Sequence, residues 1–474
     1  VAVGVGTLTS QTNSTATDVY NTAVGHAAGN QVTTGTQNTL IGGLNGDALT
    51  GGAVNVAVGY GALTSDTLGS KSVALGHTTL ANQNFTTATD SFNTAVGHSA
   101  GSAVTTARFN NLIGGLAGDA LTTGNSNTAI GYNSLGSDTK GENSVAIGDQ
   151  ALATQNFTTA TDTYNVAVGA SAGNQVTTGT FNVLLGGTSG DALTDADFNV
   201  AVGHSALGTD TLGSRSVAVG HSALNNQNFT TATDAYNTAV GFFAGLAITT
   251  GRFNNLVGGL AGDALTTGNS NTAIGYNSLG SDTKGENSVA IGDQALATQN
   301  FTTATDTYNV AVGASAGNAV TTGTLNTLMG GLTGDALTSG NSNTAIGYSS
   351  LTADTLGDRN VALGAFTLTT QNFTTSVDSY NTALGFGTGN DISTGVQNTL
   401  VGGDAGANLT DADNNIAIGY QALSSDTLGS RSVAVGNNAL LNQNLTTATN
   451  TNNVAVGFSA GIAVTTGVEN TLIG

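Results

Sequence analysis

The chain contains no cysteine, no proline and no tryptophan, and only 8% of its 474 residues are charged. Without cysteine it can form neither a disulfide framework nor a thiol-based active site. Eight lysines and arginines stand against 29 aspartates and glutamates, a net charge of −21. This balance excludes nucleic acid as a partner, because binding it depends on neutralising phosphates. No run of about 20 apolar residues occurs, so we expect no membrane insertion in this segment.

Glycine, in contrast, is abundant, with 69 residues, and 39% of the chain is hydrophobic. A Gly-rich polar composition alone could describe a disordered linker, but here the apolar residues are strictly ordered. A motif of Asn/Ser, Thr/Val, Ala/Leu, Val/Ile/Leu and Gly begins at Asn21, Asn38, Asn55 and Ser72, and again at Asn93. Its starts are separated by 17, 17, 17 and 21 residues, which gives a 72-residue super-repeat.

The super-repeats occupy residues 21–92, 93–164, 165–236, 237–308, 309–380 and 381–452, with partial units at both ends. We therefore predict one continuous repeat array over residues 1–474, a window of a longer protein. Residues 116–174 recur unchanged as residues 260–318. Such copying is tolerated where each unit contacts only its neighbours, as in a solenoid.

Each motif alternates with period two and carries β-branched residues, which predicts a short strand closed by a glycine turn. Clusters such as Thr-Thr-Gly and Ser-Asp-Thr turn the chain back, and helical periodicity of useful length is missing. The predicted fold class is therefore all-β, a parallel β-solenoid (β-roll) of 17- and 21-residue coils. At a strand spacing of roughly 4.8 Å, one super-repeat rises ~19 Å.

The two faces of the predicted strand differ. In Asn55-Val56-Ala57-Val58-Gly59 the valines share one face and Ala57 lies on the other, and we predict that the valine side fills the coil interior. The opposite position is Ala in three coils of four and Leu in the second coil, an apolar stripe that predicts packing between chains. The predicted inter-chain residues are Leu40, Leu112, Leu184, Leu256, Leu328 and Leu400. A homotrimeric rod follows; the alternative is a monomeric solenoid whose Ala face packs on its own second strand.

The segments Ser72–Gly76, Ser144–Gly148 and Asn343–Gly347 resemble the head repeat of trimeric autotransporter adhesins of the YadA type. That resemblance implies a left-handed parallel β-roll, with three chains packed into a bundle on a bacterial surface. The 17-residue coils and the regular 21-residue fourth coil depart from the family, whose coils are usually shorter. Related repeats also occur in phage tail fibres, and no functional residues carry over.

These observations predict a non-catalytic, extracellular structural fibre, an adhesin head or shaft or a surface appendage for attachment or spacing. Its partners would be copies of itself and a surface receptor or glycan that the sequence does not identify. The alternatives are the receptor-binding shaft of a phage tail fibre and a monomeric ligand-binding β-solenoid. An ice-binding surface would need a flat face of stacked Thr-x-Thr, whereas the Thr-Thr pairs here sit in turns.

Four segments match the pattern G-x-S-x-G of hydrolase nucleophile elbows: Gly97–Gly101, Gly169–Gly173, Gly313–Gly317 and Gly457–Gly461. That chemistry needs the serine on a strand-to-helix turn with histidine and aspartate nearby. No helix is predicted after these segments, and sister repeats replace the serine with Ala27, Phe243 or Gly387. We therefore expect no catalytic residues and no cofactor.

Aspartates recur at 72-residue steps in three series. They are Asp66, Asp138, Asp210, Asp282, Asp354 and Asp426; Asp47, Asp119, Asp191, Asp263 and Asp335; and Asp90, Asp162, Asp234, Asp306 and Asp378. Calcium needs six to eight converging oxygens, so turns in which the carboxylate accepts backbone N–H groups explain these aspartates more simply. The best calcium candidates are Asp195, Asp197, Asp411 and Asp413.

The 21-residue coil carries Gln-Asn-Phe-Thr-Thr, which contains an N-glycosylation sequon. The possible glycan acceptors are Asn84, Asn156, Asn228, Asn300, Asn372 and Asn444. We expect Phe85 to tuck the four extra residues against the coil, and the loop to be the exposed, functional feature. Five histidines follow a motif glycine, a position that varies and is predicted to be tolerant surface; they are His26, His77, His98, His204 and His221.

Overall fold

The computed structural model describes residues 1–15 and 17–474. They form two compact units, Val1–Tyr236 and Asn237–Gly474, and the boundary falls between two super-repeats. Each unit is a parallel β-solenoid, and the described residues contain no helix. The predicted all-β class and solenoid architecture are confirmed.

The strands are short and evenly spaced. The first unit contains β1 (Ala2–Val3), β2 (Thr22–Val24), β3 (Thr39–Ile41), β4 (Val56–Val58), β5 (Gly69–Ser70), β6 (Val73–Leu75), β7 (Thr89–Asp90), β8 (Thr94–Val96), β9 (Asn111–Ile113), β10 (Thr128–Ile130), β11 (Gly141–Glu142), β12 (Val145–Ile147), β13 (Thr161–Asp162), β14 (Val166–Val168), β15 (Val183–Leu185), β16 (Val200–Val202), β17 (Gly213–Ser214), β18 (Val217–Val219) and β19 (Thr233–Asp234).

The second unit follows the same order. It contains β20 (Thr238–Val240), β21 (Asn255–Val257), β22 (Thr272–Ile274), β23 (Gly285–Glu286), β24 (Val289–Ile291), β25 (Thr305–Asp306), β26 (Val310–Val312), β27 (Thr327–Met329), β28 (Thr344–Ile346), β29 (Gly357–Asp358), β30 (Val361–Leu363), β31 (Val377–Asp378), β32 (Thr382–Leu384), β33 (Thr399–Val401), β34 (Ile416–Ile418), β35 (Gly429–Ser430), β36 (Val433–Val435), β37 (Thr449–Asn450), β38 (Val454–Val456) and β39 (Thr471–Ile473).

Motif residues stack on motif residues without a register slip. β2, β3, β4 and β6 pair in parallel, so that Ala23, Leu40, Ala57 and Ala74 form one column. The 21-residue coil keeps this register, because β6 pairs with β8 through Ala74 and Ala95. Its four additional residues form a bulge that follows Gln83 and ends at β7, which pairs with β5. The 17-17-17-21 spacing therefore corresponds to one motif strand in each coil and one bulge in every fourth coil.

The central residue of the motif strand fills the coil interior, and the predicted orientation of the strand was wrong. Ala57 is fully buried, whereas Val56 and Val58 are partly exposed on the outer side. The reason lies in the motif asparagine, which shares a face with the central residue because side chains alternate with period two. Asn55 is fully buried and donates from Nδ2 to the Gly69 carbonyl at 2.9 Å, which turns this face inward.

The predicted inter-chain leucines therefore lie inside their own coil. All six are fully buried in the single chain, namely Leu40, Leu112, Leu184, Leu256, Leu328 and Leu400. Leu40 fits because glycines flank it: a Cβ on Gly29 would lie 2.8 Å from its Cδ1, and one on Gly46 3.0 Å from its Cδ2. In the third and fourth coils, whose central motif residue is Ala, a leucine of the turn is fully buried instead, as Leu63 and Leu80 are.

Candidate functional site

The outer side of the motif strands carries an apolar row, because the third residue of each three-residue motif strand is Val, Ile, Leu or Met, while the first residue is Val, Ile, Thr or Asn. We call the first and third residues of these strands the motif face. Ile113 remains 39% exposed and Ile274 40% exposed. The part of each coil that leads back to the next motif instead presents polar residues such as Gln31, Thr50 and Ser65. Most of the exposed large apolar side chains of the described residues lie on the motif face or in the two columns described next; Leu332, Phe366 and Val468 lie outside them.

One column precedes the motif. We call the residue immediately before each motif Asn or Ser the leading column. These residues adopt left-handed backbone, with φ of 63° at Phe109 and 58° at Phe181, although bulky side chains rarely do so. The rings point outward and stack from coil to coil, with centroids 5.8 Å apart for Phe92 and Phe109 and 5.0 Å apart for Phe181 and Phe198.

In some coils the leading column contains a lysine or arginine in place of an aromatic residue. Lys71 Nζ lies 4.9 Å from the Phe92 ring centroid, and the Arg215 guanidinium lies 5.3 Å from Phe198. Lys71 Nζ also contacts Asp90 at 2.7 Å. The equivalent ion pairs are Arg215 with Asp234 and Arg359 with Asp378. These pairs are exposed and contribute little stability. The third aspartate series thus serves an exposed ion-pair position in these coils.

A second column follows the motif. We call the residue immediately after each motif glycine the trailing column. Tyr60, His77 and His98 stack in succession, with ring centroids 5.5 Å and 5.2 Å apart, and His204 stacks on His221 at 5.4 Å. The five histidines are exposed, as the tolerant-surface prediction required.

Beneath this surface, asparagines form a buried ladder. Asn21 Oδ1 accepts from the Asn38 backbone N–H at 2.8 Å, and Asn38 Oδ1 accepts from the Asn55 N–H at 2.9 Å. In most coils Nδ2 donates to the backbone carbonyl 14 residues ahead, which belongs to a glycine for Asn21 and Gly35 and to an alanine for Asn182 and Ala196. The motif contained a signal for this ladder, since a polar residue always stands two positions before the buried central residue and therefore lies on the same face. Sequence reasoning missed this signal.

The first aspartate series lies inside the coils. Asp66 is fully buried, and its Oδ1 accepts from the backbone N–H groups of Gly69 at 3.0 Å and Phe85 at 3.1 Å. Gln83 Nε2 donates to Asp66 Oδ2 at 2.6 Å, and Asn93 Nδ2 donates to Gln83 Oε1 at 2.9 Å. The predicted acceptance from backbone N–H groups is confirmed for this series. Nothing in the spacing of these aspartates indicated that they are buried and that they hold the 21-residue coil.

Burial acts on the acidity of these groups. Desolvation raises the pKa of Asp66, Asp138 and Asp354, although the hydrogen bonds they accept oppose that rise. In the second series, burial raises the pKa of Asp119, Asp191, Asp263 and Asp335. No cation contacts these carboxylates within 4 Å in the described part of the chain.

The four calcium candidates accept hydrogen bonds from the preceding coil. Thr178 Oγ1 donates to Asp195 at 2.6 Å, and the Thr180 N–H donates to Asp197 at 2.7 Å. Asp411 and Asp413 take the same roles, accepting from Thr394 and Val396. Across residues 1–15 and 17–474, no three acidic or histidine side chains are grouped as a metal site would require.

The bulge of the 21-residue coil is exposed as predicted. Phe85 is only 5% exposed and packs against the coil, whereas Thr86, Thr87 and Ala88 lie at the surface. Asn84 is also exposed, and its Oδ1 accepts from Thr67 Oγ1 at 3.1 Å. The other sequon asparagines take the same position, so glycan attachment at these six sites stays a prediction.

The serine of the G-x-S-x-G pattern lies in a turn. Ser99 follows β8, its N–H donates to the His77 carbonyl at 2.9 Å, and its Oγ lies 3.1 Å from Thr78 Oγ1. These contacts bind one coil to the next. Of the residues that the structure describes, none lies in a helix that could span a membrane.

Together these features define a parallel β-solenoid repeat protein with an apolar outer face bordered by two columns of stacked rings. The family model of the YadA head domain repeat matches residues 140–161, 284–305 and 413–439. The predicted resemblance to YadA-like head repeats is thereby confirmed. Among curated proteins, none matches the chain.

Proposed function

We propose that this chain is part of an extracellular structural fibre, an adhesin head or shaft or another surface appendage, that mediates attachment or spacing without catalysis. The observation that carries the proposal is the motif face, which repeats on coil after coil of each unit. The similarity to YadA head domain repeats supports a place on a cell surface. In this proposal, the exposed receptor- or glycan-binding features are the bulges around Thr86 and its equivalents.

The fibre assembles as a homotrimer through the motif face. A continuous row of apolar third residues is costly to leave in water, since burial of apolar area contributes roughly 25 cal/mol per Å². Turning the motif faces of three chains towards one another buries Val56, Val58 and their equivalents, and it leaves the Thr-, Asn- and Asp-rich side of each coil in solvent. The leucines fill the chain's own interior, so the assembly surface is the opposite of the one predicted from sequence.

Immunogold electron microscopy with an antibody against residues 1–474 tests the proposed location. We expect label on filaments that project from intact, unpermeabilised cells. Label on the tails of phage particles would instead favour the tail-fibre alternative. Label confined to the cell interior would contradict the proposal.

A further inference from the structure

The two rows of the motif face differ in composition. We call the first residues of the three-residue motif strands the first row and their third residues the third row. The third row contains only Val, Ile, Leu and Met, whereas half of the first row is Thr or Asn. Strand propensity does not explain the difference, because Thr is β-branched like Val and Ile and is equally favourable in a strand. The third row therefore lacks a polar residue that its backbone conformation would accept.

Exposure runs against this composition. In β22, Ile274 is 40% exposed and Thr272 is half-buried, and in β28 Ile346 is 38% exposed and Thr344 is half-buried. Among the motif strands that the structure describes, β33 alone has an exposed first residue and a half-buried third residue. On a surface that stays in water, polar residues should be commoner at the more exposed position. Here the more exposed row contains none.

The first row, in contrast, follows the ordinary relation between exposure and polarity. Its exposed members are Asn111, Asn255, Thr399, Thr471 and Ile416, and all but the last are polar. The exposed members of the third row are all aliphatic, as Ile113, Met329 and Leu384 are. Two rows built from the same strands thus have the compositions of a wet row and a dry row.

The third row also lies in the middle of the face. On one side, beyond the first row, the leading column contains Lys71 and Arg215; on the other side, the trailing column contains Asp149 and Asp293. Neither row of the motif face contains a charged residue. Contacts between proteins have an apolar core and a polar rim, and the order of these rows matches that arrangement.

The size and the spacing of the third row indicate its occupant. The row leaves about 200–500 Å² of apolar area open in each unit, which suits the core of a contact that buries ~800 Å² per partner. An occupant must present apolar groups at the coil spacing of roughly 4.8 Å along the whole row. A second copy of this chain presents them at that spacing.

We propose that the third row is the water-free core of the contact between copies of this chain, and that the first row lies at its solvated edge. Copies related by a rotation axis along the stacking direction bring their third rows together beside that axis. The inference rests on the self-association in the proposed function, and it adds which line of residues is buried there.

Thiol reactivity tests this assignment, because the chain has no cysteine of its own. In the assembled protein, we expect Ile274→Cys to react with a maleimide more slowly than Thr272→Cys by roughly tenfold or more, since reaction requires the contact to open. In dilute, dissociated protein the order should reverse, because position 274 is the more exposed one in the single chain. Ile346→Cys and Thr344→Cys form an independent matched pair on β28.

Light scattering of each variant shows whether it assembles, and circular dichroism shows whether it folds. A third-row variant that folds but does not assemble, beside a first-row match that does, would also support the assignment. An oligomer in which the third-row thiols react as fast as their first-row matches, or faster, would overturn the inference and leave self-association standing. A single-chain mass for the unmodified protein at every concentration would refute self-association itself.

Discussion

The buried carboxylate of the 21-residue coil offers a sharp test of the interior. Asp138 accepts three hydrogen bonds: Gly141 N–H at 3.0 Å and Phe157 N–H at 3.2 Å on Oδ1, and Gln155 Nε2 at 2.7 Å on Oδ2. Gln155 Oε1 in turn accepts from Asn165 Nδ2 at 2.9 Å. The amides thus form a one-way chain of donors that ends on a group able only to accept.

Asp138→Asn keeps the shape and breaks this polarity. The new Nδ2 faces Gln155 Nε2, and turning the glutamine amide only transfers the clash to Asn165. One buried donor is left unpaired either way, which costs about 1–3 kcal/mol. We therefore expect hydrogen exchange at the Phe157 amide to accelerate by roughly tenfold or more, since 1.4 kcal/mol corresponds to a factor of ten.

Hydrogen exchange suits this measurement because coils of a solenoid can open locally. The matched control is Asp149→Asn, an exposed aspartate one coil further along, which should leave the exchange at Phe157 unchanged. Slower or equal exchange in Asp138→Asn would refute the reasoning. It would mean that the carboxyl is protonated in the folded protein and already donates.

Three further predictions concern neighbouring positions. Leu112→Asp should unfold the coils around it, because burying a charge costs several kcal/mol. Ile113→Asp should keep the melting temperature, as measured by circular dichroism at concentrations where the chain is monomeric. Equal losses of stability in the two variants would contradict the assigned faces. Gly114→Ala should lower stability by about 1–3 kcal/mol, because φ is 136° and a Cβ would lie 2.3 Å from the Gly131 carbonyl oxygen, while Gly115→Ala meets only the Tyr132 ring at 3.6 Å. Burial raises the pKa of Asp119 and of the similar aspartates above 3.8, so the folded state binds protons more tightly than the unfolded state. The free energy of unfolding should therefore be largest below pH 3.8 and fall as the pH rises through the folded-state pKa. Asp119→Asn should reduce this fall. Urea titrations in which the free energy of unfolding increases steadily from pH 4 to pH 7 would contradict the prediction.

Register and architecture were predictable because the motif repeats without a slip. A strand begins immediately after each of the motif starts Asn21, Asn38, Asn55 and Ser72, and Phe85 packs as expected beneath an exposed bulge. The spacing indicates the strand register, since parallel stacking brings the equivalent motif positions of successive coils together. The two-residue pair of β5 with β7, which absorbs the four additional residues, had no such signal.

The orientation of the strand was not predictable from apolarity. Period two distinguishes two faces but does not say which one is inside, and both faces of Val56-Ala57-Val58 are apolar. Hydrogen bonding decided the matter, because Asn55 needs buried partners and lies on the same face as Ala57. The Asp66 network was hidden for a related reason: Gln83, Phe85 and Asn93 meet it only after the chain has turned back.

The central claim is that the motif face, and not the leucine column, joins the chains. Multi-angle light scattering of the intact protein and of Ile113→Asp combined with Ile130→Asp tests it most directly, because both isoleucines are outer residues of adjacent strands. We predict a mass near three times the 46.4 kDa chain for the unmodified protein, and a shift towards the single-chain mass in the variant, with the β circular dichroism unchanged. A folded wild-type protein that remains at 46.4 kDa, or a variant that assembles as well as the wild type, would contradict the claim.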